Sequence, residues 1–180
     1  MEIHDRQFAI DQLQSSEADL LELLTNLTPQ QWHFRESPTR WSIAENLEHL
    51  ILFEAFIRNA VQRTLEAPPE PQKKSEAAAK EPLVLRLATS RDTKFNAREI
   101  VRPTGQFADP AIMIAEFHHT RAETIAFATH TQAALREHFF PHIAFGDLDC
   151  YQWLIVLGRH TLRHVHQIEQ IKSDPAYPQP

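Results

Sequence analysis

His160 and His164 are four residues apart, so on a helix their rings project from one face, about 6 Å apart. They fall on a stripe of Trp153, Leu157, His160, His164, Ile168 and Ile171, the three-and-four spacing of a surface that faces a core. An imidazole buried in such a seam without hydrogen bonds costs free energy, and a divalent metal satisfies several neutral imidazoles at once. A third histidine, His49, stands far upstream, two turns into another helix that carries Phe53 and Phe56 on the same side. One ligand from that helix and two from the last would make a three-imidazole centre, because a bundle core draws ligands from facing helices. Such a centre keeps one coordination position for water or substrate, as catalytic metal sites do. The other reading is a set of core histidines satisfied by hydrogen bonds to their neighbours. Position 161 is Thr161, not glutamate, so the His-Glu-x-x-His pattern of zinc proteases is absent.

Two side chains stand one turn from this stripe, Glu45 before His49 and Gln167 before Ile171, and either would orient a ligand ring from behind. Glu45 also completes a Ser42-x-x-Glu45 capping box, the reading favoured here. His118 and His119 are adjacent, so at most one faces inward. His4, His33, His130, His138, His142 and His166 fall in loops, at helix ends or on polar faces. The lone cysteine, Cys150, sits at a helix N-terminus where the dipole would favour a thiolate, yet without a partner in sequence it reads as packing. No Ser-His-Asp arrangement, phosphate-binding glycine loop or Cys-x-x-Cys pair occurs.

Four long amphipathic segments must position these residues. The first runs from Arg6 to about Asn26. Thr28-Pro29 then opens a short helical turn, with Trp32 and Phe34 plugging one end of the core. The second extends from Ile43 to about Leu65. Residues 67–82, rich in Pro, Lys, Glu and Ala, read as an exposed linker within one domain spanning 1–180. A short helix is expected over Leu83 to Ser90, then an extended stretch through Pro103-Thr104-Gly105. Asp109-Pro110 starts the third long helix, expected to reach Glu137 with Leu135 inward. Phe139 to Leu148 reads as a loop. Asp149 and Gln152 cap the final helix, which ends near Ser173 before a loose tail, 174–180. The fold expected is all-α, a four-helix bundle with long connections between the second and third helices.

Composition narrows the class. A chain of 180 residues with 42% apolar content suits one globular domain, and only 3 glycines argue against a sheet rich in tight turns. The net charge of −6 offers no basic face, so nucleic acid is not an expected partner. Met1 to Leu20 lacks an apolar signal core, and no apolar run approaches the roughly 20 residues that span a bilayer. A single cysteine excludes an internal disulfide and fits a reducing compartment, so the expectation is a cytoplasmic protein without membrane contact.

Arg40-Trp41-Ser42-Ile43-Ala44-Glu45-Asn46-Leu47-Glu48-His49-Leu50 resembles the second-helix opening of the DinB-like superfamily. Gln152-Trp153-Leu154 and His160-Thr161-Leu162-Arg163-His164-Val165-His166-Gln167-Ile168 resemble its closing helix. The stretches Arg102-Pro103-Thr104-Gly105 and Phe145-Gly146-Asp147-Leu148 fit the same pattern, so the resemblance runs along nearly the whole chain in order. It implies a DinB-like bundle with a divalent metal, nickel or zinc, held by His49, His160 and His164. It further implies a homodimer, and relatives that are hydrolases or transferases using a low-molecular-weight thiol. Two functions follow as expectations. The first is a metal-dependent enzyme acting on a small molecule, with water or thiolate as nucleophile and no side chain identifiable as general base. The second is a non-catalytic metal-binding bundle with a structural, ligand-binding or interaction role. An open cleft at the site would favour the first and a closed one the second.

Overall fold

The computed structural model describes residues 2–87, 97–107 and 109–179. Its frame is four long helices: α1 (Ile3–Leu23), α3 (Ile43–Thr64), α6 (Pro110–His130) and α7 (Cys150–Lys172). Around the bundle α1 lies between α6 and α7, and α3 lies between the same two on the opposite side. A short helix α2 (Pro29–His33) links α1 to α3, while α4 (Lys74–Ala78) and α5 (Glu81–Leu85) lie in the long connection from α3 to α6. A hairpin of β1 (Phe139–His142) and β2 (Gly146–Asp149) precedes α7. Among the described residues no helix is long and apolar enough to cross a membrane.

The starts of these helices follow side-chain chemistry. Thr28, Ser42 and Asp149 each accept from the backbone three residues on and form complete capping boxes with Gln31, Glu45 and Gln152. Asp109 caps α6 with Pro110 at its first position. Asn26, in the left-handed region with φ 55°, marks the turn out of α1.

Four expectations are corrected. The third long helix stops at His130 instead of Glu137, because the Arg6 guanidinium from α1 takes the carbonyls of Ala128, Thr129 and Thr131. Leu135 still reaches the core, on a separate helical turn over Leu135–Glu137. The loop expected at 139–148 is the antiparallel hairpin; two four-residue strands with Pro141 inside one of them give little period-two signal. The linker at 67–82 is mostly exposed but folded, with Ala77 buried, Lys73 paired with Asp147 at 3.0 Å and Gln152 Nε2 donating to the Ala77 carbonyl at 2.6 Å. The tail is docked: Tyr177 meets Phe34 edge-on, and the Pro178 carbonyl accepts from Gln31 at 2.9 Å. The short helix expected to reach Ser90 is α5, and Ser90 itself lies outside the described residues.

Two apolar clusters fill the bundle. One gathers Leu13, Ile57, Ala128 and the first two turns of α7; the other gathers Leu20, Leu47, Phe117 and Ile168. Between them one buried polar network draws a residue from each long helix: Ser16, Glu54, Arg121 and Thr161. The Arg121 guanidinium binds Glu54 at 2.7 Å, the Leu13 carbonyl at 2.7 Å, Ser16 at 2.9 Å and Thr161 at 2.8 Å. At this level Gly158 lets α7 close on α1, since a Cβ there would stand 2.9 Å from the Gln12 carbonyl oxygen.

Candidate metal centre

His160 and His164 project from one face of α7 and meet His49 from α3. One potential ligand atom from each ring lies within 4.8 Å of the other two, and these three form the one such grouping of metal-binding side chains found among the described residues. His49 Nε2 and His160 Nε2 are 3.4 Å apart. Nitrogens on adjacent corners of a tetrahedron, each about 2.0–2.1 Å from one ion, would be separated by about the same distance.

Hydrogen bonds fix two of the three rings. His49 Nδ1 lies 2.7 Å from the Val101 carbonyl, which only accepts, so Nδ1 carries the proton and Nε2 keeps its lone pair. His164 Nδ1 lies 2.7 Å from Asn46 Oδ1. The Asn46 amide is oriented by its own Nδ2, which donates to the Ser42 carbonyl at 2.8 Å, so Oδ1 faces the ring. Both rings therefore turn an unprotonated Nε2 toward the cluster. His160 differs: its Nδ1 is buried with no hydrogen-bond partner. An ion held on His160 Nε2 would not reach this Nδ1; what weighs toward a metal and against core histidines paired among themselves is the inward turn of the other two unprotonated Nε2 atoms. The donor set of three imidazoles suits nickel, zinc and similar borderline ions.

Burial lowers the pKa of all three. His160 and His164 lie well below the ordinary imidazole value, chiefly through desolvation and then through neighbouring positive charge, including that of Arg163. His49 is lowered by burial, partly offset by its bond to Val101. All three are thus neutral near pH 7, the state in which imidazole ligates a metal.

A buried carboxylate that the sequence reading passed over sets the position of Val101. Glu48, adjacent to His49 and 2% exposed, accepts from Thr104 N at 2.8 Å, Thr104 Oγ1 at 3.1 Å and Gly105 N at 2.9 Å. Gly105 adopts φ 77°, a left-handed conformation that glycine takes without strain, and its amide turns to the carboxylate. The turn clamped on Glu48 holds the preceding Val101 carbonyl against His49. Sequence shows Glu48 and Thr104-Gly105 separately but not their pairing.

The cluster lies along a cleft of about 760 Å³, within the range of small-molecule sites. Trp41, Phe53 and Trp153 line it; the Trp41 ring centre is 4.9 Å from that of His49, and Phe53 stacks on His160 at 4.1 Å. Glu45 serves the capping box and pairs with Arg35 at 2.6 Å, while Gln167 lines the cleft. Asn46, not either of these, supports a candidate ligand. It stands three residues before His49, a spacing that offered the signal.

Among the remaining histidines, His142 and His166, expected in loops, at helix ends or on polar faces, line the cleft. His142 stacks on Phe145, accepts from Ala144 N at 3.1 Å and has its pKa lowered to about 4, chiefly by burial and then by the Arg98 charge. His118 is exposed and pairs with Glu17 at 2.7 Å, away from the cluster. Cys150 is buried and its thiol is pushed up to about 12 by desolvation and the Asp149 charge, which settles it as a packing residue.

Comparison with known proteins is consistent with this fold. The family model described as the DinB superfamily matches residues 12–168. An uncharacterised protein of Bacillus subtilis (strain 168), YuaE, is 24% identical over 150 residues, covering 83% of this chain and 88% of its own. Among solved structures, YfiT from Bacillus subtilis, described as a probable metal-dependent hydrolase with an unusual four-helix bundle topology, superposes with a TM-score of 0.61. The match covers 96% of this chain and 88% of YfiT at 13% identity, which speaks to the fold.

Proposed function

Because the chain belongs to the DinB superfamily, we propose that His49, His160 and His164 hold a divalent metal ion, nickel or zinc, and that the protein is a metal-dependent enzyme acting on a small molecule. The observation that carries this reading is the unprotonated Nε2 atoms that His49 and His164 turn inward, with one potential ligand atom of each of the three rings within 4.8 Å of the others along an open cleft. A divalent ion there supplies Lewis acidity, favouring the deprotonated form of a water molecule or a low-molecular-weight thiol.

The chain's own residues do the rest. Val101 and Asn46 keep the protons of His49 and His164 on Nδ1. Phe53 and Trp41 cover the cluster on its apolar side, which raises the effective strength of charge interactions there. Hydrolysis and thiol transfer share this arrangement. YfiT's description favours the former and the family resemblance of the motifs, which implies thiol-dependent transferases, the latter, so the proposal stops at the metal-dependent step they have in common. A purely structural ion would call for a closed site, whereas this one borders a cleft large enough for a substrate.

Metal content by inductively coupled plasma mass spectrometry on untagged protein tests the reading. One nickel or zinc ion per chain is expected in the wild type, and none in a His160→Ala, His164→Ala variant. A folded wild-type protein that takes up neither ion would overturn it.

A further inference from the structure

The charge of the cleft runs against that of the chain. The protein carries −6 overall, yet the described residues lining the cleft include four arginines, Arg40, Arg98, Arg102 and Arg163, against two glutamates, Glu36 and Glu45. Both glutamates have their own partners: Glu36 pairs with Arg40 at 3.3 Å, and Glu45 with Arg35 at 2.6 Å. Among the described residues no carboxylate lies within ion-pair distance of Arg98 or Arg102. The Arg102 Nε donates to the Ala97 carbonyl at 3.2 Å, which fixes the arm and leaves its terminal nitrogens to other partners. The Arg98 guanidinium stands over Phe56, 6.0 Å from the ring centre. Both arginines sit on the segment that Glu48 clamps to the site, so their place at the cleft and the Val101 contact to His49 share one support.

We propose that the cleft selects small molecules bearing a carboxylate or phosphate, which Arg98 and Arg102 seat while an apolar body lies against Trp41, Phe53 and Trp153. The inference names the substrate class of the site proposed above and rests on the three histidines as its reacting end. Guanidinium groups suit this task because their planar donors match the oxygens of both anions. A cleft of local positive sign in an acidic protein also concentrates anions at its mouth. On a convex surface the same two arginines would serve solubility alone; here they share a cavity with stacked aromatic walls and the imidazole cluster.

Isothermal titration of the full chain with phenylacetate, phenyl phosphate and neutral phenylacetamide tests this, with metal content and melting temperature followed in parallel. At least one anion is expected to bind ten-fold or more tightly than the amide, and the better of the two identifies the anionic group. Arg98→Gln, Arg102→Gln together should weaken the anion at least ten-fold without changing metal content, and the single Arg98→Gln should show part of the loss should the double variant misfold. Equal binding of acid and amide, no binding of either anion, or anion binding unchanged by folded arginine variants would overturn the inference. The last result would leave the metal centre standing, with the anion bound to the ion instead. Arginine-dependent anion binding by a protein that takes up no metal would uphold this inference while the metal reading fails.

Discussion

Two desolvated polar centres lie side by side on α7, and they differ in how completely the protein satisfies them. Thr161 faces the Arg121–Glu54 pair, where Arg121 is fully buried and its guanidinium nitrogens all find oxygen partners in this chain. His160, one residue earlier, faces the cleft with a buried Nδ1 that has none. Burying unpaired polar groups is costly, so the first arrangement is what a fold builds when polarity only has to be tolerated. The second sets imidazole nitrogens from three rings around one point that an ion from outside the chain would fill. The contrast separates a structural polar layer from a candidate functional one within a single helix turn.

The largest effect expected from breaking this comparison is on the structural side. Arg121→Leu would leave Glu54 buried without its cation and should cost about 3–5 kcal/mol, read as a drop in the midpoint of urea unfolding. Replacing both, Arg121→Leu with Glu54→Leu, should recover much of that loss, because an apolar pair no longer strands a charge. A single variant as stable as wild type would show that the layer contributes nothing to stability.

The histidine side should respond to metal instead. At free metal one hundred times the dissociation constant, binding adds about 2.7 kcal/mol, so a chelator should lower the melting temperature of wild type and leave the His160→Ala, His164→Ala variant unmoved. Acid should act on the metal-free protein in the same region. His49, His160 and His164 have folded pKa values below their unfolded ones, as does His142 at about 4. The unfolded chain therefore takes protons first as pH falls below about 6.5, and stability should decline from there, by at most about 1.4 kcal/mol per pH unit for each group. For His142 that decline ends near pH 4. Flat stability between pH 7 and 5 in chelated protein would contradict neutral burial of these rings.

Gly158 connects the two sides, two residues before His160. Alanine normally favours a helix by about 1 kcal/mol over glycine. Here the new Cβ would meet the Gln12 carbonyl at 2.9 Å, backbone that moves only if α1 moves. Gly158→Ala should therefore destabilise by about 1–3 kcal/mol, the usual cost of overpacking, and a gain in thermal stability would show that α1 and α7 have slack.

What could be read from sequence divides along physical lines. The four helices were legible because capping pairs such as Ser42 with Glu45 and Asp149 with Gln152 are local signals. The histidine trio was legible because His160 and His164 share one face and the motif around His49 adds the third. The early stop of α6 was hidden, since it depends on Arg6 arriving from the other end of the chain. The hairpin was hidden by its brevity and Pro141, and the docked tail by its dependence on long-range contacts, Phe34 with Tyr177 and Gln31 with Pro178. The supports of the site, Asn46 and the Glu48 clamp, required knowing which surfaces face each other, information that pairs of distant residues carry only after folding.

Asn46 should change the fold least and gives the sharpest discrimination. Its Oδ1 holds the His164 proton on Nδ1, and loss of such a support typically weakens metal binding 10- to 100-fold. Asn46→Ala should therefore keep the fold and the Arg121 layer while raising the dissociation constant for zinc by that factor in competitive chelator titrations. Asn46→Asp offers an acceptor at the same place and should retain more affinity than alanine, although it loses the donor to the Ser42 carbonyl. If alanine and aspartate weaken zinc equally, the amide acts by packing α3 and not by fixing the imidazole. If neither changes zinc affinity, the ring holds its orientation through α7 alone, and the support assigned to Asn46 is wrong.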